Sequence, residues 1–237
     1  MNVGGRLRRG LILTGVAGVA LVALGGAGAL LLGSHHAPPP LGLSSPAAQS
    51  SVSSADGVWT VGAGSQVGYR AMEKFINQPA ATEAVARTSK VTGGLQIVGT
   101  GTSMMATGIH FSADLASLQS QDRYANYQVY QRDFFVRSIY LQTDTYPTAE
   151  FKADSVAIPT GIGTAPIAVS VPGSLTVHGV SRPVTAGFQV QLNGAGVEVA
   201  GSMKVDMRDY GIEVPDISFT TAQPQVVIEY HLLLVHS

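Results

Sequence analysis

Hydrophobic and polar positions alternate with period two along most of the chain after residue 57, most clearly between Gly173 and Ile212. Leu175 and Val177 alternate with Ser174, Thr176 and His178; Val184, Ala186, Phe188, Val190 and Leu192 alternate with Thr185, Gly187, Gln189 and Gln191. In a third run Val197, Val199, Gly201, Met203, Val205 and Met207 share one face, and Glu198, Ser202, Lys204, Asp206 and Arg208 the other. Alternation of this kind predicts antiparallel strands with one dry and one wet face. The turns are punctuated by His178-Gly179-Val180-Ser181-Arg182-Pro183 and by Asn193-Gly194-Ala195-Gly196, the second a strong hairpin signal.

The same period predicts strands at Val58–Val61, Gln66–Arg70, Lys90–Val98, Met104–Leu115, Thr148–Ile158, Ile167–Val177 and Gln225–Val235. In the fourth of these Met105, Thr107, Ile109, Phe111 and Ala113 are expected to share a face. In the last, Val226, Ile228, Tyr230, Leu232 and Leu234 form one stripe. Trp59, the only tryptophan, is expected to pack as a structural residue near one end of the sheet. Two stretches break the period. Glu73–Ser89, polar and Ala-rich with Pro79, predicts a loop with a short helical turn. Asp122–Val136 places Tyr124, Tyr127, Tyr130 and Phe134 at helical spacing and predicts a helix with an aromatic stripe.

The N-terminal part reads differently. Leu11–Leu32 carries no charge over ~22 positions, enough for a helix to cross a ~30 Å hydrocarbon core. Arg6, Arg8 and Arg9 precede it and no charge follows before Asp56, so the positive-inside rule predicts a cytoplasmic N-terminus and an extracytoplasmic remainder. A cleaved signal peptide, giving a secreted protein, is the competing reading. Residues 34–56, rich in Ser, Pro and Ala, predict a disordered tether. The expected organisation is thus residues 1–33 as cytoplasmic tip and membrane anchor, 34–56 as linker and 57–237 as one β-domain.

Composition narrows the chemistry. Beyond residue 55 the chain has 11 basic and 15 acidic residues, a formal charge of −4, which argues against nucleic-acid binding. The absence of cysteine removes disulfides, thiolate metal sites and cysteine nucleophiles. There is no G-x-S-x-G elbow, no H-E-x-x-H and no Gly-rich loop opening a helix, so neither catalytic residues nor a metal nor a cofactor are expected. His35-His36 lack chelating geometry, and His110, His178 and His231 are dispersed. Arg208-Asp209 reads as a turn-stabilising pair.

Leu175-Thr176-Val177-His178-Gly179-Val180-Ser181-Arg182-Pro183-Val184 resembles the "LTIHGVTKPV" hairpin of the YceI-like family, and Arg208-Asp209-Tyr210-Gly211-Ile212 is similar to a second signature of that family. Asp133-Phe134-Phe135 followed by Tyr146-Pro147-Thr148-Ala149-Glu150-Phe151 resembles its "D-F-F…Y-P-T-A-x-F" element. The resemblance implies a mainly β fold, an antiparallel eight-stranded lipocalin-like barrel with one or two short helices, here preceded by a single transmembrane helix. It also implies a lipid-binding protein rather than an enzyme, the ligand being a long-chain isoprenoid lipid or quinone inside the barrel. The inward stripes then nominate Ile109, Phe111, Phe134, Val184, Ala186, Phe188, Val190, Val199 and Met203 as lipid-binding residues. Two other readings remain: a membrane-tethered interaction module with a filled barrel, and a lipid-modifying enzyme.

Overall fold

The computed structural model describes residues 35–45, 47, 55–76, 78–99, 104–124, 129–159 and 162–237. The predicted anchor Leu11–Leu32 lies outside these residues, as does Tyr127. Among the described residues no helix is long and apolar enough to cross a membrane. The strands are β1 (His35–His36), β2 (Gly57–Val61), β3 (Gln66–Phe75), β4 (Thr82–Thr88), β5 (Val91–Val98), β6 (Met105–Asp114), β7 (Gln119–Ser120), β8 (Arg123–Tyr124), β9 (Thr148–Ala157), β10 (Ile167–Val177), β11 (Val180–Asn193), β12 (Gly196–Asp206), β13 (Asp216–Ile217) and β14 (Thr220–His236). Among the described residues one α-helix, α1 (Val129–Phe135), interrupts them.

Eight strands, β2, β5, β6, β9, β10, β11, β12 and β14, pair in that order and close when β14 returns to β2, every pairing antiparallel. β14 is long enough to serve two neighbours on one edge: Leu234–His236 pair with β2, and Tyr230 and Ile228 pair with Val67 and Tyr69 of β3. β3 therefore takes up the same edge of β14 beyond β2, and β4 pairs with β3 as a hairpin. Here the sequence expectation fails, because Glu73–Ser89 is mostly strand rather than loop and helical turn. Its charged residues Glu73 and Arg87 pair with Arg132 and Glu229, far along the chain, which local pattern does not register.

A second difference lies in β6. Pairing of β6 with β5 steps from Gly94↔His110 to Gln96↔Thr107, so one residue is in excess. Gly108 absorbs it with φ of 58°, a left-handed conformation that Gly adopts without steric cost. The bulge exchanges the faces of the strand: Ala106 and Ile109 are both buried, while Met105 and Thr107 are not. The predicted helix also starts later than Asp122. Arg123 and Tyr124 are extended and pair with His36 and His35, and α1 continues as one wide turn over Val136–Tyr140, closed by Leu141 N–H to Val136 O at 2.8 Å.

The free tether expected for residues 34–56 also differs. Over His35–Ser45 the chain is a strap laid against the outside of the barrel. Pro38, Pro39 and Pro40 fix an extended conformation whose carbonyls have no internal partner, and Arg70 Nη2 and Arg87 Nη2 donate to Pro38 O and Pro39 O, each at 2.6 Å. Leu41 N–H donates to Glu229 Oε2 at 3.0 Å, Ser44 N–H to Glu198 Oε1 at 2.9 Å, and Ala47 N–H to Asn193 Oδ1 at 3.0 Å. The face of β12 and β14 expected to be wet is therefore covered, with Glu198 and Glu229 at 0% and 1% exposure.

Candidate functional site

The two ends of the barrel are packed differently. Around β2 large inward side chains fill the space between a few small ones: Trp59, Ile109, Phe151, Phe188, Tyr230, Leu232 and Leu234 are buried in one cluster with Ala106, Ala153 and Ala186. Trp59 closes this end, its Nε1–H donating to Ala55 O at 2.9 Å. The Phe188 ring lies 6.2 Å from Phe151 and 5.0 Å from Tyr230, centroid to centroid. Tyr230 fits because Gly201 lacks a Cβ, which would stand 2.9 Å from its ring; its hydroxyl donates to Gly187 O at 2.7 Å.

At the opposite end, around β3, β4 and α1, inward positions are small. Ala71, Ala84, Ala113, Ala149 and Ala222 each come from a different strand, and Ala71 faces Ala84, as Ala113 faces Ala149, across the sheet. They surround a cavity of about 200 Å³. Val205, Met207, Tyr210 and Ile212 form one wall, and Phe135, Val136 and Tyr140 cover it from the side of α1. A smaller hollow of about 70 Å³ shares Val67, Ala113, Ala149 and Ile228 with this cavity and ends on Phe188 and Tyr230.

The charged groups at the wall are tied to one another. Arg132 of α1 donates through Nη1 to Glu73 Oε1 at 2.7 Å and to Asp122 Oδ2 at 3.1 Å, through Nη2 to Ser120 Oγ at 2.8 Å, and also to Asp122 Oδ1. Asp122 Oδ1 further accepts from Val85 N–H at 3.1 Å. Burial pushes the Glu73 carboxyl up, against the pull of Arg132, and burial likewise raises the Tyr69 phenol beyond its ordinary range. Arg132 thus latches α1 over the mouth and has no donor left pointing into the cavity. Thr220 Oγ1, at the mouth, is buried and has no partner among the described residues.

A family model described as a YceI-like domain matches residues 59–234. The chain belongs to the YceI-like family. UPF0312 proteins from two strains of Pseudomonas putida are 32% identical to it over 108 residues, 42% of this chain and 53% of theirs; the chain spans about half the length of the curated relatives it matches. Among solved structures, a polyisoprenoid binding domain from Saccharophagus degradans, implicated in plant cell wall breakdown, superposes with a TM-score of 0.55 at 17% identity, covering 76% of this chain and 98% of that one. BcnA of Burkholderia cenocepacia gives a TM-score of 0.47 at 20% identity over 70% of this chain and 95% of that one. At 17% identity the likeness to the Saccharophagus degradans domain shows the fold alone: a mainly β, closed eight-stranded antiparallel barrel.

Within this YceI-like barrel the nominated residues separate into three groups. Ile109, Ala186, Val190 and Val199 are packed into the filled end, with Val184 packed both there and against Leu175, Val177, Tyr210 and Ile212 beside the cavity. Phe111, Phe188 and Met203 line the smaller hollow. Phe134 stands 57% exposed on α1, and its neighbour Phe135 takes the cavity wall instead. Alternation located the inward faces of β11 and β12; it carried no information on which layer is empty. The signal available was side-chain size, since small inward residues recur at one level on five strands. His110, His178 and His231 lie apart: His110 Nε2 is 3.8 Å from Glu150, His178 packs on Tyr146, and His231 is 2.6 Å from Glu198. Arg208 pairs with Asp206 rather than Asp209, its Nη2 donating at 2.5 Å.

Proposed function

We propose that the chain binds the hydrocarbon part of a long-chain isoprenoid lipid or quinone in the hollow end of its barrel, as an extracytoplasmic storage or transport domain held at the cell membrane by residues 11–32. The observation that carries this reading is the girdle of alanines around an apolar cavity whose charged neighbours, Arg132 and Glu73, are already paired. Family membership and the polyisoprenoid-binding function of the Saccharophagus degradans domain point the same way. At about 0.8 kcal/mol per methylene, one five-carbon unit contributes on the order of 4 kcal/mol before ordering costs. No polar constellation is required for that affinity, and the mutual pairing around Arg132 supports binding rather than catalysis.

The cavity at the hollow end, about 200 Å³, is smaller than the ~300 Å³ at which pockets for drug-sized ligands begin. One end of a polyprenyl chain therefore occupies it, and the remainder leaves past α1. Thr220 is placed to donate to an oxygen of a quinone or lipid at that exit. Native mass spectrometry of the gently purified full chain is expected to show a bound lipid, and Ala71→Trp is expected to lose it while keeping the β circular dichroism spectrum. If the wild type carries no lipid and binds no added polyprenyl compound, the barrel is an interaction module instead.

A further inference from the structure

Large apolar side chains are left exposed around the cavity mouth. Ile76 is 78% exposed, Phe134 57%, Ile139 52%, Phe219 46%, Phe135 42% and Ile217 38%. They come from three neighbouring elements: the end of β3, α1 with its following turn, and the segment leading into β14. Phe135, Ile217 and Phe219 also line the cavity, and Ile76 N–H donates to Phe219 O at 3.0 Å. Singly exposed apolar residues need no explanation, but a ring of them around a cavity marks a docking surface.

The strap says what that surface meets. It begins at the mouth end, where His35 pairs with Tyr124 and its Nε2 lies 3.4 Å from Asp122, itself latched to Arg132. From there it passes Arg70, Arg87, Glu229 and Glu198 in turn and reaches the β11–β12 turn at Asn193, at the filled end. Two residues separate His35 from the uncharged segment ending at Leu32, and two extended residues span at most about 7 Å. A free linker of ~20 residues would instead roam over a root-mean-square distance of about 25 Å and impose no orientation.

We propose that the strap fixes the membrane segment beside the mouth, so that the apolar rim rests on the bilayer surface and the cavity exchanges its ligand directly with the membrane. This rests on the reading of residues 11–32 as an anchor. An apolar face of this kind settles roughly 5–10 Å into the interface, which brings the cavity opening to the level where lipid chains begin.

The chain has no cysteine, so single labels report one position each. Full-length Ile139→Cys, Ile217→Cys, Val98→Cys and Ala195→Cys, each carrying an environment-sensitive fluorophore, are reconstituted in phosphatidylethanolamine/phosphatidylglycerol vesicles containing a nitroxide lipid. The two rim labels should be quenched several-fold more by the nitroxide than the labels at Val98 and Ala195, and a long Gly/Ser insert after Gly33 should shrink that contrast. Co-flotation with vesicles but equal, weak quenching at all four sites overturns the orientation and leaves the anchor standing. Failure to co-float removes the anchor and the orientation with it. Rim labels shielded in detergent as protein concentration rises, without lipid quenching, assign the rim to a second copy and overturn the bilayer as its occupant. A contrast undiminished by the insert overturns the role of the strap.

Discussion

The filled and hollow ends of the barrel are built on largely the same strands with the same alternation, and they differ in the size of what points inward. On β14, Ala222 faces the cavity while Tyr230 and Leu232 fill the other end; on β9, Ala149 and Phe151 are two residues apart, one at the hollow and one in the core. Closure of the sheet needs only one apolar face per strand. Whether the enclosed space is core or lumen is decided layer by layer, and here the boundary is the Phe151–Phe188–Tyr230 contact. The filled end supplies the stability that lets the other end remain empty, because an apolar cavity forfeits contacts that a packed layer makes.

The sharpest way to break this comparison is to truncate an aromatic residue at each end. Phe151→Ala should cost about 3–5 kcal/mol, as buried aromatic truncations do, whereas Phe135→Ala, half in solvent at the rim, should stay within about 1 kcal/mol. Urea unfolding measures both; equal costs would mean that the rim is core. The outer face offers the next largest effect. Burial pushes the Glu198 carboxyl up, but donors from Ser44, His231, Asn193 and Gln191 outweigh it and hold its pKa at about 2, below the ordinary 4.5. Because the folded-state pKa is the lower one, this contribution is present above pH ~4.5 and is lost as pH falls toward 2; it is roughly 3 kcal/mol. Glu229 is lowered too, burial being outweighed by Arg70 and Arg87. Hydrogen exchange corrected for intrinsic rates should show the Ser44 amide losing protection as pH falls toward 2, and the Leu41 amide losing it in acid, before the barrel strands do. Protection that persists there would show that the carboxylates do not hold the strap. The smallest effect comes from enlarging side chains: Ala186→Leu, at a site with 0% exposure, should cost about 1–3 kcal/mol by overpacking, and Ala71→Leu should be nearly neutral because the cavity receives it.

The strands from β9 to β12 and the core of β14 were legible because their residues alternate and their turns carry Gly, Pro and Asn at the positions that turn geometry demands. What was not legible depended on distance along the chain. Arg87 meets Glu229 across 142 positions, Glu73 meets Arg132 across 59 and Ser44 meets Glu198 across 154, so the charges that hold the end of β3 and β4, and that dock the strap, look like solvated loop in a local window. The Pro-rich stretch reads as a disordered tether; its docking requires partners that no composition argument supplies. In β6, Gly108 was visible, but that it shifts the register by one residue is fixed by the pairing with β5. For the cavity, the inward faces were readable and the empty layer was not, which is why Ala186, Val190 and Val199 were nominated while Ala71, Val205, Met207 and Ile212 were passed over.

The central claim, that the ligand lies in the hollow end and stops at Phe188, is tested most directly by photocrosslinking. A polyprenyl probe with a diazirine at its terminal unit, loaded into the purified full chain and mapped by peptide mass spectrometry, should label residues around Phe111, Phe188 and Met203. Probes carrying the diazirine progressively nearer the head group should move to Ala71, Val205 and Met207 and then to Ile217 and Phe219. Labelling of Val190, Val199 or Leu234 would place the chain in the end described here as solid core, and labelling confined to the outer surface would contradict an internal site altogether.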